Sequence, residues 1–563
     1  MRKVTGLVLG FSVVVLSGCM SATTGDSQAK YKLQKESARA LVKQSTLQSH
    51  KRRHSMKIAP EADVAAYAAG MQPGLLVAPA PVKDLEKYAE IDSNKIARVA
   101  EQPVSTFSID VDTAAYANVR RMLQEGRMPR RDAVRIEEMI NYFSYDDVSS
   151  DDRSQPFAVN MQMAPTPWNG QTQILRIGLK AWQKTQAELP PANLVFLVDV
   201  SGSMHSENKL PLLKRSLKLL TRQMREEDKV TLVVYAGASG VALEPTPGNQ
   251  AAKIEQALDQ LSAGGSTNGG AGIHLAYAKA RESFVVGGIN RVIIATDGDF
   301  NVGTVNQRAL IELIERKARQ GIALTTLGFG RGNYNDHLME QLADKGNGNH
   351  AYIDSLLEAN KVLVEQMGGT LLTVAKDVKV QVEFNPARVR DYRLIGYENR
   401  LLAREDFNND QVDAGEIGAG HSVVALYEVT LQETPEADPL RYASLLARPS
   451  SDTSNEYAYV KLRYKAPNAT QSQLLSFALT EQQRVEMINK ASDDLRFATA
   501  VAAFGQRLHG GKYLKGYDYA KIRDLANTAR GKDEQGYRAE FLRLVSLAKS
   551  LDVKPIVTAD LNE

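Results

Sequence analysis

From residue 193 to 367 the chain alternates apolar runs of strand length with amphipathic runs of helical length, and that alternation leaves few folds open. Residues 194–200 and 291–296 are almost continuously apolar, as expected of strands covered on both faces. Strands are also expected at 230–235 and 322–329. Between and after them, residues 210–224, 251–261, 272–284, 307–320, 337–343 and 356–367 read as helices. The pattern implies an α/β fold with an open, doubly wound, mostly parallel sheet and helices on both faces. In such a sheet the ligand crevice lies outside the carboxyl ends of the strands.

The flanks read differently. In 103–190, helices are expected at 114–125 and 132–143, and strands at 157–163 and 172–181. After residue 371 the chain turns strand-rich again, at 377–384, 422–431 and 457–465. This 371–470 region is expected to pair with 155–182, giving one β-sandwich interrupted by the α/β insert at 191–370. Residues 471–563 read as a helical C-terminal region, with Gly510-Gly511 as a stop signal. Charged residues make up 24% of the 563 and the net charge is +3, so no basic face of the kind nucleic-acid binding needs is implied.

Cys19 is the chain's single cysteine, which excludes an internal disulfide and a thiolate metal cluster. It follows a basic n-region at Arg2 and Lys3 and an apolar run at 4–16, too short to span a bilayer but of the length of a secretory h-region. Leu16-Ser17-Gly18-Cys19 resembles the lipobox of bacterial lipoproteins. The resemblance implies a signal peptide at 1–18, acylation of Cys19 and membrane attachment through its acyl chains. Residues 19–102 read as a flexible tether. Met20 stands where an aspartate would imply inner-membrane retention, so the expected location is the outer membrane, facing the periplasm.

Three signals fall on the carboxyl-end rim of the expected sheet. They are Asp199-Val200-Ser201-Gly202-Ser203, the loop Gly264-Gly265-Ser266-Thr267-Asn268, and Thr296-Asp297-Gly298-Asp299. Together they resemble the von Willebrand factor A domain and its metal-ion-dependent adhesion site: Asp-x-Ser-x-Ser, a loop Thr, and an Asp at a later strand end. The resemblance implies a metal held by Ser201, Ser203 and Thr267, with Asp199 and Asp297 acting through water or tuning the shell. Mg²⁺ suits this set, with Mn²⁺ or Ca²⁺ as alternatives. A hard dication prefers oxygen, and hydroxyls supply it without overloading the site with charge. One coordination position is then open to an Asp or Glu side chain from a protein partner, so the expected role is an adhesion or scaffold module and not an enzyme. A metal-dependent envelope hydrolase and a structural lipoprotein with a vestigial site are the alternatives. His205 reads as a surface loop residue. Asp406-Phe407-Asn408-Asn409-Asp410 opens like a calcium-binding EF-hand loop but lacks the later Gly and Glu, so a polar turn is the better reading. The wider order of tether, N-terminal region, A domain and a C-terminal region with Gly418-Ala419-Gly420-His421 is similar to a family of bacterial A-domain lipoproteins.

Overall fold

The alternation from 193 to 367 folds into a six-stranded sheet around which both of its cores are built. In the computed structural model, which describes residues 85–149, 155–266, 269–298, 307–432 and 455–552, the strands run in the order His350–Ile353, Ala323–Phe329, Ile289–Thr296, Ala192–Asp199, Lys229–Tyr235, Ser239–Pro247. The first five are parallel and the last is an antiparallel edge. Ala192–Asp199 is buried at every residue. Its side chains alternate: Leu194, Phe196 and Val198 enter one core with Leu213, Leu217, Ile254 and Leu258, while Val195 and Leu197 enter the other with Ile273, Tyr277, Leu313 and Leu324. A strand serving two cores has no place for a polar side chain until its end, which is where Asp199 stands.

Around this insert lies a β-sandwich. One sheet runs Ala97–Arg98, Val389–Ile395, Ser422–Leu431, Asn169–Ala181, Phe157–Thr166. The other runs Gly415–Gly418, Thr373–Phe384, Glu456–Lys465, Gln473–Thr480, with Val104–Ser108 paired to Thr373–Phe384. Phe157, Leu175, Ile177, Val380, Val382, Tyr427 and Val460 fill the space between them. The chain leaves the first sheet after Ala181 and returns to the sandwich at Thr373, so the α/β unit is an insertion. Of the strands expected to pair with 155–182, only Ser422–Leu431 does so. Thr373–Phe384 and Glu456–Lys465 form the facing sheet and meet the first by packing rather than by hydrogen bonds. The expected helical region from 471 begins instead with the strand Gln473–Thr480, a largely exposed edge. Its helices are Asp493–Leu508, Tyr519–Thr528 and Tyr537–Leu551. With Ala114–Gln124 and Ile136–Asn141 they cover the outer face of the first sheet, where Phe143, Phe497, Phe504 and Phe541 stack edge to face. Among the described residues no helix is long and apolar enough to cross a membrane. Cys19 and the lipobox lie outside the described residues.

Buried ion pairs tie the three parts together. Arg120, 1% exposed, donates to Asp354 at 2.7 Å, Glu358 at 2.7 Å, Tyr142 at 3.0 Å and Glu540 at 3.1 Å. It thereby joins the N-terminal helix, the end of the insert and the last helix of the chain. Arg135 and Arg400 converge on Glu340 of the insert, and Arg400 also reaches Asp110 and Asp112. Carboxylates outnumber arginines here. Burial, with Glu398 and Asp110 close by, raises Glu137 to about 7, and burial raises Glu340 to about 7 as well.

Two outcomes follow from this wiring. Arg120→Met leaves three carboxylates short of a buried partner and should lower folding stability by about 3–5 kcal/mol in urea titration. Glu137 keeps its proton in the folded protein up to about pH 7, but in the unfolded chain only to about 4.5. The folded state therefore holds more protons across that window, and stability falls as pH rises through it. Glu137→Gln should flatten the decline between pH 4.5 and 7 by about 3 kcal/mol, read from urea midpoints at several pH values.

Candidate metal and ligand site

The rim is assembled by strands that end side by side. Asp199 pairs in register with Tyr235, and Val198 with Ala295, so the parallel strands carrying Asp199 and Thr296 terminate together. The Asp199 carboxylate is fully buried and engaged on both oxygens. Oδ1 accepts from the Ser201 backbone N–H at 2.9 Å; Oδ2 accepts from the Tyr235 hydroxyl at 2.9 Å and the Thr296 hydroxyl at 3.0 Å. Burial raises this carboxyl above the usual aspartate range and nearby Asp297 pushes the same way, against the hydrogen bonds from Ser201.

Beyond Asp199 the chain turns through a short 3-10 segment, Gly202–His205, pinned by Met204, whose side chain is wholly within the core. The turn holds the Ser201 and Ser203 hydroxyls 3.1 Å apart, with Ser203 exposed and Ser201 1% exposed. The glycine loop docks on the same turn: Gly264 N–H donates to Val200 O at 2.8 Å, and Gly202 N–H donates to Gly265 O at 3.1 Å. Thr267 and Asp299 lie outside the described residues. The structure thus brings Asp199, Ser201, Ser203 and Asp297 to one rim, with the near end of the Thr267 loop against it. His205 is exposed on this turn, in keeping with a surface loop residue.

Sequence reasoning missed Lys209. This residue, 7% exposed, donates through its ammonium to Asp297 Oδ2 at 2.7 Å, and Asp297 is fully buried. The lysine stem crosses the end of the neighbouring strand at Gly330, where a Cβ would fall 2.4 Å from Lys209 Cγ and Cε. Gly330 has φ +74°, so the crossing suits glycine on both counts. A lysine opening an ordinary helix, with Pro211 after it, carries no sequence sign of this role.

The donors at the rim are hydroxyl and carboxylate oxygens, the set a hard dication requires. Ser201 and Ser203 would hold a metal directly, and Asp199 and Asp297 would supply negative charge behind them. The EF-hand-like segment is different. Lys379 Nζ donates to Asp406 O at 3.1 Å and Asn409 O at 2.6 Å, so the loop closes around an ammonium. That segment is a polar turn.

A family model for the von Willebrand factor type A domain matches residues 193–366, and a model named for von Willebrand factor matches 82–176. A third, for the C-terminal part of "Uncharacterized protein YfbK", matches 369–551. Over 469 residues the chain is 48% identical to that protein of Escherichia coli (strain K12), covering 82% of this chain and 81% of the relative. It is 26% identical over 271 residues to the inter-alpha-trypsin inhibitor heavy chain H3 of Homo sapiens, spanning 44% of this chain but 29% of that protein. A solved von Willebrand factor type A structure from Catenulispora acidiphila is 15% identical, covers 69% of this chain and 89% of its own, and superposes with a TM-score of 0.39. With these matches on a parallel sheet whose rim carries the Asp-x-Ser-x-Ser turn, the chain belongs to the YfbK family of von Willebrand factor type A domain proteins, whose A domain is a module that typically mediates protein–protein interaction.

Proposed function

We propose that the A domain grips a partner protein through a divalent cation, Mg²⁺ in the first instance, held at the rim by Ser201, Ser203 and Thr267 with Asp199 and Asp297 behind them. Charge balance supports the acidic character of the partner. Two buried carboxylates and one ammonium carry a net single negative charge. A dication added to them leaves one positive charge in excess at an exposed edge, and a Glu or Asp side chain from outside neutralises it. The observation that carries the reading is the convergence of the Ser201–Ser203 hydroxyl pair with two buried aspartates at one strand-end rim. The chain, on this reading, is attached to the membrane through acylated Cys19, at the outer membrane facing the periplasm, and works as a binding module rather than an enzyme.

The geometry also selects the substitution that tests it. Asp199→Ala would strand three donors in the core, each costing about 1–3 kcal/mol, so loss of binding would be confounded with loss of fold. Ser203 is exposed and its hydroxyl meets that of Ser201, itself held by its neighbours, so Ser203→Ala leaves the scaffold intact. Mg²⁺ should stabilise the wild-type chain, by about 2.7 kcal/mol at a hundredfold excess over Kd, and Ser203→Ala should lose most of that gain at an unchanged melting temperature in EDTA. A chelator-sensitive crosslink to envelope proteins should vanish with it. If wild type shows no Mg²⁺ or Mn²⁺ heat in calorimetry, the metal reading fails. Turnover of a phosphoester or peptidoglycan fragment, lost in Asp297→Ala, would replace the binding module with a hydrolase.

Lys209→Met supplies an independent check. It leaves Asp297 buried without its ammonium partner and should destabilise the EDTA-treated protein by about 3–5 kcal/mol. Because a dication can compensate the same carboxylate, Mg²⁺ should recover more stability in this variant than in wild type. An equal Mg²⁺ increment in both proteins would count against a metal next to Asp297.

A further inference from the structure

The Gly418-Ala419-Gly420-His421 turn has no part in the rim; it staples together the two crossings between the sandwich and the insert. Ala419 N–H donates to Leu372 O at 2.9 Å, and Gly420 N–H donates to Trp182 O at 2.9 Å. Trp182 follows the strand that ends at Ala181, and Leu372 precedes the strand that begins at Thr373, so the outgoing and returning chain are held by one turn. Both crossings border a cavity of about 740 Å³, lined also by Ile289 and Arg291 at the start of the strand whose far end carries the rim. That volume lies in the range that holds small ligands, roughly 300–1,000 Å³.

Much of the wall is apolar. Trp182, Phe284, Val285 and Leu372 line the cavity and stay half-buried, and the buried side chains of Val374 and Tyr464 join them. The turn after Phe284 is pinned to the outgoing crossing. Ile289 N–H donates to Pro191 O at 2.9 Å, and a Cβ on Gly288 would fall 2.5 Å from that same oxygen. The outgoing crossing is held in turn by Arg225, which donates to Leu189 O at 2.8 Å and Pro190 O at 3.1 Å. Walls fixed in this way need little further ordering to receive a ligand.

The charge on the lining is one-sided. Lys184 from the outgoing crossing and Lys376 from the returning strand are both half-buried, and among the described residues neither ammonium has a hydrogen-bond or ion-pair partner. The Lys184 ammonium stands 5.5 Å from the centroid of the Trp182 ring. Lys376 lies opposite Lys465 in the sheet, an unfavourable like-charge pairing, and the adjacent Asp377 is taken by Lys465 at 2.7 Å. Arg291, 3% exposed, spends Nη1 on Thr325 Oγ1 at 2.7 Å and keeps Nε sealed, so it adds positive charge behind the wall rather than a hydrogen bond. Burial lowers it to about 10, which leaves it charged at neutral pH. Glu188, the acid on this lining, already accepts from the Thr185 backbone N–H at 2.9 Å and hydroxyl at 3.0 Å.

The geometry points to a second binding site, independent of the rim, for a small amphipathic anion whose acidic head meets Lys184 and Lys376 and whose apolar body lies against Trp182, Phe284 and Leu372. The test uses the full chain in EDTA with decanoate as the probe, at concentrations where it is monomeric. Acetate, which has the head without the body, and decanol, which has the body without the charge, are the controls. Decanoate should bind saturably in calorimetry with a Kd below about 1 mM, and both controls should bind at least about tenfold more weakly. Binding should shift the tryptophan emission, and Trp182→Phe should abolish the shift. The double variant Lys184→Gln, Lys376→Gln should melt with wild type, because neither amine has a partner to lose, and should bind decanoate at least about tenfold more weakly. Ser203→Ala should bind decanoate as wild type does. The proposal is overturned if decanoate does not saturate, if decanol or acetate binds as tightly, or if the double variant keeps wild-type affinity. Saturation with an emission shift that survives Trp182→Phe would overturn it too, by placing the probe elsewhere.

Discussion

Three arginines decide how the insert sits. Arg120, Arg135 and Arg400 are buried or nearly so, and each reaches carboxylates on more than one part of the chain. Hydrophobic packing alone would allow the α/β unit to slide on its support. Ion pairs buried in low dielectric do not, because a displaced guanidinium leaves several charges uncompensated. The insert is held in this way at Asp354 and Glu358 near its end, and at Glu340 and Asp344 on the helix Asp336–Lys345. The exposed turn carrying Ser203 is not among these contacts.

At the rim, the same physics is used with opposite intent. Asp297 has a lysine where the clasps have arginines. An ammonium is a compact point charge on a flexible stem, and it can shift without breaking a planar, two-toothed geometry. The clasp carboxylates are held in forked contacts, whereas Asp297 meets a point charge on one oxygen. Asp199, by contrast, is fixed from three directions by Tyr235, Thr296 and the Ser201 backbone.

What the sequence disclosed follows from burial. The parallel strands were legible because two cores demand unbroken apolar runs, and the rim residues were legible because polarity begins where those strands end. The antiparallel edge Ser239–Pro247 was missed because much of it faces solvent and carries Glu244 and two prolines. Val389–Ile395 was missed because Arg390, Asp391 and Arg393 break its apolar pattern, and the partners of Arg393, namely Glu428, Gln506 and the Tyr513 ring, come from across the fold. The helix expected at 132–143 is cut to Ile136–Asn141 because Arg135 is extended, with φ −95° and ψ 113°, to reach Glu138 and Glu340. Lys209 was missed because a lone cation in sequence has no signature until the fold supplies its surroundings.

The insertion itself bears on how the chain reaches this state. Asn169–Ala181 emerges early, yet one of its two neighbours, Ser422–Leu431, is made only after the whole A domain. Contacts inside the A domain are closer in sequence, and units rich in nearer contacts close sooner. During synthesis the first sheet therefore waits with one flank open while a complete domain condenses between its halves. The period of greatest exposure to wrong strand pairing falls on the sandwich, and the apolar side chains of that waiting strand are where a chaperone would have most to protect.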